Sequence, residues 1–255
     1  MKHTPAELFD LTGRVALVTG GSRGLGREMV RGFARAGADV VIASRKLESC
    51  EALARDVEAE TGRRALAVAC HVGRWHDLDR LADAAYAAFG KVDVLVNNAG
   101  MSPLYDRVVN VSEELWDKVL AVNLKGPFRL TALVGTRMAA GAGGSIINVS
   151  SVGSIRPYGG IVPYAAAKAG LNAMTVAFAH AFGPTVRVNC LMPGTFVTDI
   201  NRDWNWEEFA TKHAARFALR RAGNASEIVG AALYLASDAS SYTTGAILKV
   251  DGGVP

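Results

Sequence analysis

Two patterns predict an α/β fold with a doubly wound, mostly parallel sheet of about seven strands and helices on both faces. Seven short apolar runs are continuous rather than alternating, as suits strands buried on both faces. Between them lie amphipathic segments with apolar residues spaced near 3.6, so strand and helix alternate along the whole chain, a pattern that needs right-handed crossovers. At 255 residues, 50% hydrophobic and 20% charged, the chain can bury a large core and is excluded from the disordered class. One domain, 1–255, is expected, since no Pro/Gly/Ser-rich linker or internal repeat divides it.

The first strand is read at Arg14 to Thr19, followed by a glycine-rich turn and a helix through Leu25, Met29 and Phe33 that stops at Gly37. Asp39 to Ala43 and Ala65 to Val72 are the second and third strands. A helix through Leu78, Leu81, Ala85 and Phe89 closes at Gly90, before a strand at Val92 to Val96. Ser145 to Val149 and Val186 to Met192 follow, with a helical segment around Tyr164 between them. Asn224 and Glu227 form a capping pair for a helix through Ile228, Val229, Ala232 and Leu235, and Ala246 to Val250 is the last strand. The long insertion Gly194 to Arg221, with Trp204, Trp206, Phe209 and Phe217, is expected to be a lid over the crevice at the strands' C-terminal ends; ordinary surface helices are the alternative.

Composition excludes several classes. The net charge is +4, but Lys and Arg are scattered among acids, so no nucleic-acid partner is expected. Cys50, Cys70 and Cys190 are odd in number and form no CxxC pair, so reduced structural thiols are expected and no metal site. Residues 1 to 10 carry Lys2, His3, Glu7 and Asp10 and no apolar run, and no stretch is long enough to span a bilayer, so the expectation is a cytoplasmic protein without a membrane partner.

The turn Thr19-Gly20-Gly21-Ser22-Arg23-Gly24-Leu25-Gly26 joins the first strand to the first helix. Glycines there let the backbone approach a pyrophosphate, which the helix N-terminus favours electrostatically, although a plain tight turn needs glycine too. The second strand ends in Ser44-Arg45-Lys46, where a carboxylate would bind the ribose hydroxyls of NAD. A hydroxyl and positive charge, with Arg23 nearby, suit the 2′-phosphate of NADP(H); Lys46 alone reads as solvated surface. Tyr164 and Lys168 lie one helical turn apart on one face, where an ammonium can depress a phenol's pKa toward the range of proton transfer; such pairs also occur on plain helix surfaces.

Taken with Asn97-Asn98-Ala99-Gly100, Asn123, Ser150-Ser151, Pro193-Gly194 to Thr198, Thr244-Gly245 and Val250-Asp251-Gly252-Gly253, these motifs resemble the short-chain dehydrogenases/reductases over essentially the whole chain. The resemblance implies a single Rossmann-type domain, with a cofactor half at about 12–150 and a catalytic and substrate half at about 151–255, assembled as a homotetramer. It implies Tyr164 as general acid/base, Lys168 as the residue that depresses its pKa and holds the nicotinamide ribose, Ser151 as the hydroxyl on the substrate oxygen, with Ser150 second to it, and Asn123 as organiser of a water in the proton relay. For the cofactor it implies Gly20, Ser22, Arg23, Gly24, Leu25 and Gly26 around the phosphates and Ser44 and Arg45 at the 2′-phosphate. Asn98, Ala99 and Gly100 fall on the adenosine side, Tyr164 and Lys168 at the ribose, and Pro193, Gly194, Phe196 and Thr198 at the nicotinamide. The chain departs from the family at His71-Val72, where Asp-Val is usual, leaving Val72 to offer its backbone to the adenine. Of the basic positions that carrier-protein reductases use, Arg129 is a permanent cation and His180 is not.

The expected activity is NADP(H)-dependent interconversion of a ketone and a secondary alcohol, chiefly carbonyl reduction of a 3-oxoacyl or other ketone. The alternatives are an NAD(H)-dependent polyol dehydrogenase and a redox-inactive NADP(H)-sensing scaffold.

Overall fold

The computed structural model describes residues 4–198 and 205–255. Thr4 caps a short helix, α1 (Pro5–Leu8), and strand β1 (Val15–Thr19) leads into α2 (Gly24–Arg35). Then come β2 (Asp39–Ser44), α3 (Leu47–Thr61), β3 (Ala65–Ala69), α4 (Trp75–Phe89) and β4 (Val94–Asn97). The second half adds α5 (Glu113–Leu120), α6 (Gly126–Ala139), β5 (Gly144–Val149), α7 (Val162–Phe182), β6 (Val186–Pro193), β7 (Phe196–Val197), α8 (Trp206–Lys212), β8 (Gly223–Asn224), α9 (Val229–Ala236) and β9 (Ile247–Val250).

The main sheet has seven strands in the order β3-β2-β1-β4-β5-β6-β9, every neighbouring pair parallel. The continuous apolar runs have a direct cause. Ala16 and Val18 of β1, Val40 and Ile42 of β2, Val94 and Val96 of β4 and Ile147 of β5 point to one core, with Met29 and Phe33 of α2 and Leu235 of α9. Their neighbours Leu17, Val41, Leu95 and Ile146 point to the other, with Leu78 and Leu81 of α4 and Leu130 and Val134 of α6. Both cores must be filled, so alternation disappears from the sequence.

Strand boundaries depart from the sequence reading by a few residues, β4 starting at Val94 rather than Val92. The third strand ends at Ala69 rather than Val72, because the His71 N–H turns to the Asp77 carboxylate (3.0 Å) at the start of α4. It is an edge strand and only half-buried, which its run of apolar residues does not reveal. The insertion Gly194 to Arg221 contributes β7 and α8, and β7 pairs over two residues with β8 just beyond it; Arg202 and Trp204 lie outside the described residues. Among the described residues, no helix is long and apolar enough to cross a membrane.

The strand order reverses between β1 and β4, and the loops leaving those two strands flank the crevice that open α/β sheets use for ligands.

Candidate active site

The turn after β1 needs its glycines. Gly20 has φ +63°, and a Cβ on it would sit 2.9 Å from the Ala99 Cα. A Cβ on Gly26 would run into the Gly20 carbonyl. The two loops at the switch point are stitched together: Asn98 Nδ2 donates to the carbonyls of Thr19 (2.9 Å) and Gly20 (3.1 Å), and Thr19 Oγ1 accepts from the amides of Asn98 (3.1 Å) and Ala99 (3.2 Å). Arg23 is the N-cap of α2, and its side chain makes no capping hydrogen bond. The result is a backbone cradle at a helix N-terminus, the arrangement that receives phosphate. Gly24, with φ +54°, lies opposite Thr198, whose Cβ would be 3.6 Å from an added Cβ.

Beside the cradle, Ser22 Oγ donates to Ser44 Oγ (2.9 Å), joining the glycine turn to the end of β2. Ser44 also lies 3.1 Å from the buried Cys50 Sγ, a support that no local motif announced. Arg23 and Arg45 are exposed, and among the described residues neither is held in an ion pair. His71 folds onto its own turn, with Nδ1 accepting from the Gly73 N–H (3.2 Å). Val72 follows it, and its carbonyl faces Gly126, where a Cβ would collide with it. On the far side, β6 ends at Pro193, the Gly194 N–H donates to Val250 O (2.9 Å), and Phe196 is buried on β7.

The second group of residues gathers past the ends of β4 and β5. Tyr164 stands in the first turn of α7, and Lys168 one turn on is buried, with Nζ donating to Val149 O (2.7 Å) and lying 5.7 Å from the Tyr164 ring centroid. The Ser151 hydroxyl lies near enough to Tyr164 to lower the phenol's pKa, whereas Ser150 is turned inward with Oγ 3.4 Å from the Lys168 carbonyl. That favours Ser151 over Ser150 as the partner of the phenol. Asn123 occupies a single π-turn, Ala121–Lys125, between α5 and α6, a widening that often marks functional sites. Its amide is fixed by Met101 O (2.8 Å), Val119 O (2.9 Å) and the Met101 N–H (3.2 Å). A Cβ on Gly100 would meet Asn123 Oδ1 at 3.0 Å and Lys168 Nζ at 3.7 Å, so Gly100 separates these two groups.

The electrostatics differ from the simple expectation of an ammonium depressing a phenol. Burial raises the Tyr164 pKa, opposed by the hydrogen bond from Ser151, and Lys168 is turned to the Val149 carbonyl instead. Burial also pulls Lys168 down to about 8. The phenol therefore keeps its proton through the neutral range.

A supporting chain went unread in the sequence. Asn172, one further turn along α7, donates to Ser154 Oγ (2.9 Å), and Ser154 Oγ donates to the Ser151 carbonyl (2.7 Å). The i, i+4, i+8 spacing of Tyr164, Lys168 and Asn172 was the available signal. The apolar wall around Tyr164 comes from Pro103, Tyr105, Leu115, Val119, Ile161 and Pro163. The Arg129 guanidinium is engaged within the chain, holding Asp79 (2.6 Å) and lying over the Trp75 ring (4.7 Å).

Comparison with known proteins agrees with this geometry. The family model described as enoyl-(acyl carrier protein) reductase matches residues 20–255. Human dehydrogenase/reductase SDR family member 4 is 35% identical over 247 residues, covering 96% of this chain and 88% of that protein. A gluconate 5-dehydrogenase from Burkholderia cenocepacia, solved with NADP and tartrate, superposes with a TM-score of 0.92 at 35% identity, covering 98% of both chains. The NADPH-dependent 3-quinuclidinone reductase of Rhodotorula rubra gives a TM-score of 0.92 at 28% identity, covering 100% of this chain and 96% of that one. With its parallel seven-stranded sheet, its glycine cradle and its Tyr164, Lys168 and Ser151 cluster, the chain belongs to the short-chain dehydrogenase/reductase family of oxidoreductases.

Proposed function

We propose that this oxidoreductase uses NADP(H) to interconvert a ketone and a secondary alcohol, working chiefly as a carbonyl reductase. The observation that carries the reading is Tyr164 one helical turn from buried Lys168, with the Ser151 hydroxyl near enough to lower the phenol's pKa, past the C-terminal ends of β4 and β5. Two hydroxyls there can stabilise the oxygen on which charge develops.

The cofactor assignment rests on the open end of β2. The glycine cradle admits a pyrophosphate, while Ser22, Ser44, Arg23 and Arg45 offer hydroxyls and positive charge, and no carboxylate ends that strand. Gly20, Gly24, Leu25 and Gly26 would hold the phosphates, and Asn98, Ala99, Gly100 and the Val72 backbone the adenosine. Pro193, Gly194, Phe196 and Thr198 would hold the nicotinamide end. NADP(H), when bound, supplies or accepts the hydride.

In this scheme Ser151 orients the substrate oxygen and Tyr164 gives it a proton in reduction or takes one in oxidation. Lys168 steadies Tyr164 and the cofactor ribose, and Asn123 orders the relay that restores the proton. A phenol whose pKa is raised by burial stands ready to donate, which favours reduction near neutral pH. The side chains packed around Tyr164 are mostly apolar, which supports a substrate with an apolar flank next to the reacting carbonyl. The chain is read as one domain with a lid at 194–221, acting in the cytoplasm as a homotetramer.

The test is a titration with NADPH and NADH, followed by a carbonyl panel with the unmodified protein and Tyr164→Phe. NADPH should bind more tightly than NADH, and Tyr164→Phe should retain NADPH binding while losing at least about 100-fold in kcat. Preference for NADH with oxidation of polyols would replace this reading with a sugar-alcohol dehydrogenase, as the similarity to gluconate 5-dehydrogenase would then suggest. Cofactor binding without turnover of any substrate would point to a sensing role.

A further inference from the structure

Tyr105 sits in the loop after β4; its ring belongs to the apolar wall around Tyr164, but its hydroxyl plays no part in the scheme above. Its phenol makes two hydrogen bonds to the segment that leads into α7, donating to Gly159 O (2.6 Å) and accepting from the Val162 N–H (2.8 Å). Val162 is the first residue of α7 and Tyr164 the third. The N-cap residue, Ile161, has an apolar side chain that makes no capping bond, and the next residue, Pro163, has no N–H. The helix that carries Tyr164 thus receives its cap from another loop.

That loop is tied at its other end as well. Met101 is held through both its N–H and its carbonyl by the side chain of Asn123. Four residues later Tyr105 grips α7, and Tyr105 and Tyr164 belong to the same apolar cluster of side chains. A short span of backbone therefore connects the π-turn of Asn123 to the turn of Tyr164. The flanking side chain Leu104 is 86% exposed, so apolar burial at that position does little to hold the loop down. Beside the packing of Pro103 and the Tyr105 ring near Ile161 and Pro163, the two phenol hydrogen bonds fix the loop to the helix with a defined geometry.

We propose that Tyr105 is a positioning residue, whose phenol fixes the first turn of α7 and so sets the Tyr164 hydroxyl relative to Asn123. The proposal rests on the reading of Tyr164 as the proton donor. Displacement of a reacting group by a fraction of an ångström lowers the rate of the chemical step more than it lowers binding.

The test compares Tyr105→Phe, which keeps the ring and removes both hydrogen bonds, and Tyr105→Ala with the unmodified protein. Any carbonyl substrate that the unmodified protein reduces with NADPH can be used. In Tyr105→Phe, kcat should fall about tenfold while the KM for the carbonyl and the Kd for NADPH stay within about threefold. Exchange of the Val162 amide with solvent should speed up, and the Tm should stay close to the starting value. Tyr105→Ala should lower kcat further. A kcat equal to that of the unmodified protein would overturn the positioning role, and so would a loss confined to KM. A joint fall in Tm and NADPH affinity would show general loosening and overturn it too. Failure of the unmodified protein to reduce any carbonyl would instead remove the reading of the site and the role of Tyr105 with it.

Discussion

Lys168 is buried, its Nζ donates to a backbone carbonyl, and burial pulls its pKa from 10.5 to about 8. Between those two values the unfolded chain holds a proton that the folded chain has released, so stability rises with pH across about 8 to 10.5 and carries the whole penalty below 8. The penalty at neutral pH is on the order of 3 kcal/mol. Lys168→Met should therefore abolish turnover and raise the Tm at pH 7 by roughly 5 °C, a gain that shrinks as the pH rises from about 8 and is mostly gone by about pH 10. Thermal melts of both proteins at pH 7 and pH 10 check this, and an unchanged or lower Tm at pH 7 would mean that the Val149 hydrogen bond outweighs the burial. Lys168 and Tyr164 were legible in the sequence because one helical turn relates them locally. Asn172 extends the same face and could have been read with them. Tyr105 could not, because its partners Gly159 and Val162 lie more than fifty residues away and are backbone groups.

Helix ends and strand interiors were legible for a related reason, since each is dictated by neighbours in the chain. The Asn224 and Glu227 pair does close a capping box, with Glu227 accepting from the Asn224 N–H (2.7 Å). It also grips Arg221 by two hydrogen bonds (2.6 and 2.7 Å), a partner outside the motif. That pairing holds the Glu227 carboxyl down at about 2, so its stabilising contribution is complete above pH 4.5 and is lost as the pH falls toward 2. The box opens the run into α9, whose Leu235 is fully buried and whose Leu235 carbonyl accepts from Ser145 Oγ of β5 (2.7 Å). Glu227→Ala should lower the Tm at pH 7 by a few degrees, and the difference should vanish by about pH 2. A difference that persists unchanged into acid would assign it to something other than the carboxylate. The π-turn at Asn123 and the β7–β8 pair were not legible. Each depends on contacts from distant parts of the chain, with Met101 for the first and Gly223 for the second.

At the scale of the molecule, strand and helix order was legible because two cores, one on each face, impose a burial pattern on every strand. What lies outside those cores is harder to read from periodicity, because a helix covered by a second copy of the chain looks over-hydrophobic rather than amphipathic. Helix α7 has this character: Ala166, Ala169, Ala173, Val176 and Ala177 are exposed on the side away from the sheet. Next to it runs a row of rings, Trp75 to Phe128 (6.3 Å), Phe128 to Phe178 (5.8 Å) and Phe178 to Phe182 (5.4 Å), in which Trp75 and Phe128 remain exposed. Contiguous apolar surface of this kind marks an interaction site, and small residues on a helix let a second helix approach closely. If the protein assembles as proposed, symmetry places the same face of two copies in contact, so one substitution introduces its charge twice at each interface. Val176→Arg should then convert a four-chain species into a smaller one, with helix content retained and a lower Tm, as measured by light scattering, circular dichroism and melting. An unmodified protein that runs as a monomer would show that solvent covers this face, and an arginine variant that stays at four chains would move the interface elsewhere.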